Sequence, residues 1–219
     1  MTSHHNPDGD AIGSVIAMVK LLEKSVPQVT GIVPNDFPDF LKWMPGAERI
    51  VIYNQLEPKA KELIYNADLI FCLDYNALHR TDAMAPVLKS TCAVKVLIDH
   101  HLDPLSEDFE HIISRIDISS TSELLFNFIE QCGWSDLIGL EVATGLFVGI
   151  MTDTGSFSYS CSRPETFAIT SKLIEKGIDI VRVHQLVYDT YSENRMRLLG
   201  FCLSERLKVF HEFSTAYIW

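Results

Sequence analysis

AVKVLIDHH, residues 93–101, runs apolar for most of its length and then ends abruptly in an acid and two imidazoles. LIFCLDY, residues 69–75, has the same form, five apolar residues closed by Asp74. Short runs of this kind suit strands buried on both faces of a parallel sheet, where neither alternate side chain meets water. Working outward, VTGIV (29–33), RIVIY (49–53) and HIISRI (111–116) read as further strands, and MTSHH (1–5) as the end of another. Between them lie helical stripes. Ile12, Val15, Ile16, Val19 and Leu22 follow Asp10, which stands where an N-cap would be. LEPKAKELIYNA (56–67) carries Pro58 in its first turn, and SSTSELLFNFIEQCG (119–133) opens with Ser120 and Glu123 in capping-box spacing. LEVATGLFVGIMTDTG (140–155) reads as a mostly buried helix, 164–176 and 192–210 as further helices, and FSTAYIW (213–219) as a strand. The alternation predicts an α/β fold: a doubly wound, mainly parallel sheet with helices on both faces.

Composition narrows the chemistry. The 219 residues carry 18 basic and 29 acidic side chains, a net charge of −11. That argues against a basic face for long duplex nucleic acid, which needs clustered Lys and Arg. Phosphates remain accessible to an acidic protein when divalent cations supply the positive charge locally. The five cysteines are odd in number, scattered and without a C-x-x-C pair, which fits a reducing cytoplasm rather than a disulfide or structural zinc framework. No apolar stretch reaches the length of a membrane span.

In open α/β sheets, ligands bind at the carboxyl ends of the strands. Here those ends read HHNPDGD (4–10), LDYN (73–76) and IDHH (98–101), and Asp153 closes the apolar helix in IMTDTG. Crowded carboxylates repel each other and some would have to take up protons, a difficulty that divalent cations remove. Oxygen and imidazole donors without thiolate suit Mn, Mg, Fe or Co. So many donors favour two ions over one, and paired ions stabilise both the entering and the leaving oxygen of a phosphoryl displacement.

The ordered set His4-x-x-Pro7-Asp8-Gly9-Asp10, Asp74, Asp99-His100-His101 and Asp153 resembles the motifs of the DHH phosphoesterases. Within that superfamily PDGDAIGS, DYNALHRTD and SSTSELL look closest to bacterial oligoribonucleases that also dephosphorylate 3′-phosphoadenosine 5′-phosphate. The resemblance implies two divalent cations, Mn preferred. His4 and Asp8 would hold the first; Asp10, His100 and Asp153 the second; Asp74 would bridge them. Asp99 would orient a histidine, and His101 would contact the scissile phosphate. It also implies a catalytic domain over 1–190 whose first strand is truncated, and an inter-domain helix and the start of a substrate-binding domain over 191–219. The implied substrates are short single-stranded RNA or a small nucleotide, and a homodimer is among the expected states.

Plainer readings stand beside these. Asp74 has the position of a helix N-cap after a strand, Asp153 that of a helix terminator, and His101 that of a surface imidazole. Arg80 and Arg163 are candidate phosphate contacts or surface ion pairs, and Phe157 and Tyr159 are base-stacking or core aromatics. Rival functions are a manganese-dependent pyrophosphatase or exopolyphosphatase, and a metal-binding fragment without catalysis. A dinucleotide-binding fold is set aside, because no G-x-G-x-x-G follows the first strand.

Overall fold

Strand β3 (Leu69–Leu73) lies inside a parallel sheet, and its alternating side chains sort the helices to two faces. In the computed structural model, which describes residues 1–219, Ile70 and Cys72 pack with helices α2 (Glu57–Tyr65) and α3 (Ala85–Ser90). Phe71 and Leu73 face the larger core of helices α1 (Gly9–Leu22), α4 (Thr121–Gln131) and α5 (Leu140–Asp153). Strand β4 (Val94–Asp99) divides in the same way, with Leu97 on the first face and Ile98 on the second. The chain therefore adopts the doubly wound α/β fold expected of it.

Met1–Ser3 lies between β1 (Ile32–Val33) and β3. The Ile32 amide donates to the Met1 carbonyl, and Thr2 exchanges backbone hydrogen bonds with Phe71 and Leu73. Strand β2 (Val51–Ile52) flanks β1, and β5 (His111–Ser114) flanks β4, all parallel. From the N-terminal segment the chain steps outward through β1 and β2, then returns to the other side for β3, β4 and β5. The order reverses between Met1–Ser3 and β3, and a crevice opens at the carboxyl ends of strands at such a reversal. His4–Asp10 and Asp74 leave from those two ends.

Helix α5 is buried from Val142 to Met151, in keeping with its nearly continuous apolar sequence. It packs closely on α1, because a methyl group at Gly13 would overlap the Gly145 carbonyl. Helices α6 (Pro164–Ile174) and α7 (Ile180–Tyr188) complete this layer through Ile169, Leu173, Val183 and Val187. None of the helices is long and apolar enough to cross a membrane.

Several boundaries differ from the sequence reading. The 29–33 and 49–53 strands shorten to two residues each, because only Ile32↔Val51 and Val33↔Ile52 are in register. The third, at 111–116, ends at Ser114. The N-cap of α1 is Asp8, whose Oδ1 accepts the amides of Asp10 and Ala11, so Asp10 moves into the first turn. The capping box of α4 is half made: Ser120 Oγ accepts the Glu123 amide, while the Glu123 carboxylate turns to Ser119 and Thr166. Helix 192–210 stops early. Helix α8 spans Glu193–Phe201 and continues as a π-helical turn over Cys202–Arg206, and Leu207–Phe210 forms strand β6, antiparallel to β7 (Thr215–Ile218). Apolar residues there fit either period, and the hairpin partner satisfies the backbone that the helix would otherwise have paired.

Candidate metal centre

Loop geometry aims His4 inward. Asn6 adopts a left-handed backbone (φ 57°), and its amide donates to Asn35 Oδ1 at 2.7 Å while Asn35 Nδ2 donates back to Asn6 Oδ1 at 3.0 Å. His4 Nδ1 lies 2.8 Å from the His5 carbonyl, which leaves Nε2 facing the crevice. There His4 Nε2 is 3.5 Å from Asp74 Oδ2 and 3.9 Å from Asp8 Oδ1. Asp74 follows β3 with a left-handed backbone (φ 67°), a conformation that Asp tolerates better than most residues. No helix begins at Asp74, so the N-cap reading does not apply; the next helical turn is a short 3₁₀ segment from Leu78.

The other oxygen of Asp74 faces a second group. Asp74 Oδ1 lies 3.6 Å from His100 Nε2, and His100 Nε2 lies 3.3 Å from Asp153 Oδ2. Donor atoms of His4, Asp8 and Asp74 form one set and those of Asp10, His100 and Asp153 another, and Asp74, His100 and His101 form a third that links the two, the atoms of each lying within 4.8 Å of one another. An ion about 2.1 Å from two donors at right or tetrahedral angles holds them roughly 3.0–3.4 Å apart. The spacings here lie at or slightly above that range, and the all-oxygen-and-imidazole donors fit divalent ions of the Mn type.

Next to these sets, Asp99 is fully buried and grips His101 twice. Its Oδ1 lies 2.7 Å from His101 Nδ1, and its Oδ2 accepts the His101 amide at 3.1 Å. Asp99 therefore raises the pKa of His101. Nδ1 being engaged, Nε2 is the free nitrogen of a ring that is 34% exposed. His100 and His101 line an open depression of about 620 Å³ with Asn76, Leu102, Asp103 and Ile116. A smaller cleft of about 260 Å³ near the start of β1 and β2, lined by Val19, Arg49 and Lys59, has no convergent carboxylates.

The charge on this crevice has a measurable consequence. Burial is the main reason the carboxyls of Asp10 and Asp74 lie above their ordinary range, and Asp153 is pushed up to about 7. The charges of Asp10 and Asp8 add to the rise at Asp74 and Asp153. In the metal-free protein the folded state thus holds protons that the unfolded chain releases near pH 4, so stability falls as pH rises from about 4 through 7. The raised His101 acts in the same sense, its contribution being lost as pH climbs through its folded pKa. Thermal unfolding in EDTA is expected to give a lower midpoint at pH 8 than at pH 6. Saturating Mn should raise the midpoint more at pH 8 than at pH 6, because the ligands must give up their protons to bind it. An EDTA midpoint rising steadily over this interval would contradict the charge distribution described.

Sequence reading missed one part of the centre. The amides of Thr121 and Ser122 donate to Asp10 Oδ2 and Oδ1 at 2.6 and 2.9 Å, and Thr121 Oγ1 donates to Asp74 Oδ1 at 2.9 Å. Helix α5 leaves room for this junction at Gly149, where a methyl group would overlap Ser122 Oγ and sit 2.6 Å from Asp10 Oδ1. Nothing in local spacing signals a contact across 111 residues of chain. The remaining candidates spread out. His5 faces Asp82, at 3.8 Å, outside all three donor sets. Arg80 is half-buried and near enough to His101 for its charge to oppose the rise in that pKa. Arg163 pairs with Asp117 at 3.2 Å and with Glu165 at 3.5 Å. Phe157 packs between Phe147 and Phe167, whereas Tyr159 is 72% exposed.

Known proteins share this architecture. A solved exopolyphosphatase-related protein from Bacteroides fragilis superposes with a TM-score of 0.96 at 45% identity, over 99% of this chain and 63% of that one. Among curated relatives, the probable bifunctional oligoribonuclease and PAP phosphatase NrnA of Streptococcus mutans is 29% identical over 80% of this chain and 52% of its own length. The bifunctional oligoribonuclease and PAP phosphatase NrnA of Thermus thermophilus is 24% identical over 84% of this chain and 51% of its own. The chain thus spans about half the length of these curated relatives. Residues 1–150, which include every donor except Asp153, match the model of the DHH family N-terminal domain, and the chain belongs to that family of phosphoesterases.

Proposed function

We propose that this chain is a two-metal phosphoesterase that hydrolyses very short oligoribonucleotides or small nucleotide phosphates such as 3′-phosphoadenosine 5′-phosphate, with Mn as the preferred metal. The observation that carries the reading is one buried carboxylate, Asp74, with Oδ2 toward His4 of the first donor set and Oδ1 toward His100 of the second. His4, Asp8 and Asp74 would hold one ion; Asp10, His100 and Asp153 would hold the other, with Asp74 shared between them. Bound ions of this kind neutralise phosphate charge and lower the pKa of water to a useful range. The protein's own residues do the rest. Asp99 fixes His101 so that Nε2 reaches into the depression, where it is placed to give a proton to the leaving oxygen. Arg80, whose charge is felt at His101, would add positive charge on that side. Arg163, engaged with Asp117 and Glu165, contributes to substrate only if those pairs open.

A pyrophosphatase or exopolyphosphatase activity is the second reading, and the 45% identity to a protein named exopolyphosphatase-related favours it. Both use the same metal chemistry and differ in the leaving group. One assay separates them. The chain is incubated with Mn and a 5′-phosphorylated diadenylate, with pyrophosphate and short polyphosphate in parallel, and AMP and phosphate release are followed. AMP release abolished by EDTA supports the oligoribonuclease reading. Phosphate from polyphosphate or pyrophosphate with an inert diadenylate overturns it in favour of the second.

A further inference from the structure

The start of α4 touches two of the proposed metal ligands at once, although it contributes none itself. Asp10 spends one lone pair of each oxygen on successive backbone amides, those of Thr121 and Ser122. A carboxylate held at both oxygens cannot rotate about its terminal bond, and both remaining lone-pair directions are then set by the helix rather than by the ion. Thr121 also donates its hydroxyl to Asp74, and to Oδ1 rather than Oδ2. Oδ1 is the oxygen facing His100, a member of the second donor set; Oδ2 faces His4 of the first. One fully buried threonine therefore joins the shared carboxylate to a carboxylate belonging to the second set alone. The hydroxyl is stereochemically stiff, because the β-branched side chain has few rotamers at a helix start. Gly149 leaves no spare volume around the junction, since any side chain there would meet Ser122 and Asp10.

We propose that Thr121 is a positioning residue that presets Asp74 Oδ1 for the second ion, so that the second subsite, and with it the bridge between the ions, depends on the Thr121 hydroxyl, whereas the first subsite does not. The inference rests on the two-metal reading of the centre. Its energetic logic is that an unanchored Asp74 swings toward the first ion, which holds it through Oδ2. The second ion is then left with Asp10, His100 and Asp153. Partners that orient ligands from behind typically contribute about 10–100-fold in metal affinity. Here that contribution is directed to one ion of the pair.

The test is a Mn titration of the metal-free chain by calorimetry, paired with electron paramagnetic resonance at saturating Mn. Two Mn ions sharing a carboxylate give an exchange-coupled spectrum, which a purely structural role for Thr121 would not disturb once both sites are filled. Wild type is expected to bind two ions and show that spectrum. Thr121→Val is expected to keep the first ion within about threefold while the second weakens by about 10–100-fold, and its spectrum should lose exchange coupling. Thr121→Ala, which removes the hydroxyl without placing a methyl against Asp74, should behave alike if the valine variant folds poorly. Thr121→Ser, which restores the donor, should recover both the second ion and the coupled spectrum. Equal weakening of both ions, or a coupled spectrum in Thr121→Val, overturns the proposal. A wild-type chain that binds one ion would instead overturn the two-metal reading beneath it.

Discussion

Asp74→Asn is expected to lower turnover by about a thousandfold or more while raising the stability of the metal-free protein. The two effects share one cause. Asp74 is buried to 2% exposure among Asp10, Asp8 and Asp153, and its carboxyl is pushed well above the ordinary range chiefly by burial. Asparagine is nearly the same size and removes a charge that the empty centre holds at a cost, so the EDTA midpoint at pH 8 should rise. With divalent ions present the balance reverses. Asparagine offers one carbonyl oxygen and turns an NH₂ toward whichever set that oxygen does not serve, so the two ions lose their shared anion. Charge stabilisation of several kcal/mol is at stake, and about 4 kcal/mol corresponds to roughly a thousandfold in rate. Thermal unfolding in EDTA, Mn titration and turnover measured on one preparation decide the matter. Turnover near that of wild type would remove Asp74 from the centre.

His101→Ala is expected to separate metal binding from turnover. His101 Nδ1 is taken by Asp99, and the nearest other acid, Asp74 Oδ1, lies 3.9 Å away. Removing the ring should therefore leave Mn affinity within a few-fold of wild type. Turnover should fall by about 10²–10⁴, the usual contribution of a positioned proton donor. The pH profile supplies the sign. Asp99 favours the protonated ring, so a proton given by His101 should leave wild-type activity with an alkaline limb. The variant should lack this alkaline limb. Metal loss comparable to that of Asp74→Asn would show that His101 is a ligand instead.

The two positions also illustrate how far a linear reading reaches. The runs at 69–74 and 93–101 announced strands because each is apolar on both faces and ends in charge. A strand can lose its alternation only when both faces are covered, so the doubly wound fold followed from local composition. The same abrupt ends marked the crevice, because a polar group at the carboxyl end of a buried strand needs a reason to be there. Ionisable residues of the four motifs were legible for that reason.

Boundaries and supports were less so. The position of Asp10 before an apolar stripe suited a cap, yet Asp8 caps α1, which frees both Asp10 oxygens for α4. SSTSELL carried a cap signal that was half right. Ser120 caps α4 as expected, but Thr121 and Ser122 serve a carboxylate more than a hundred residues earlier. The stretch at 192–210 was apolar enough for helix or strand, and pairing of Leu207–Phe210 with Thr215–Ile218 decided between them.

By itself, then, the sequence determined the order of elements, the two-sided burial of the sheet and the ionisable groups at its strand ends. These follow from periodicity and charge, which act over a few residues. The tertiary structure decided which oxygen of Asp74 faces which histidine, which nitrogen of His101 stays free, and that the start of α4 holds Asp10 and Asp74 together. Such choices depend on distances of 2.6–3.9 Å between segments far apart in the chain, set only when the helices close on the sheet.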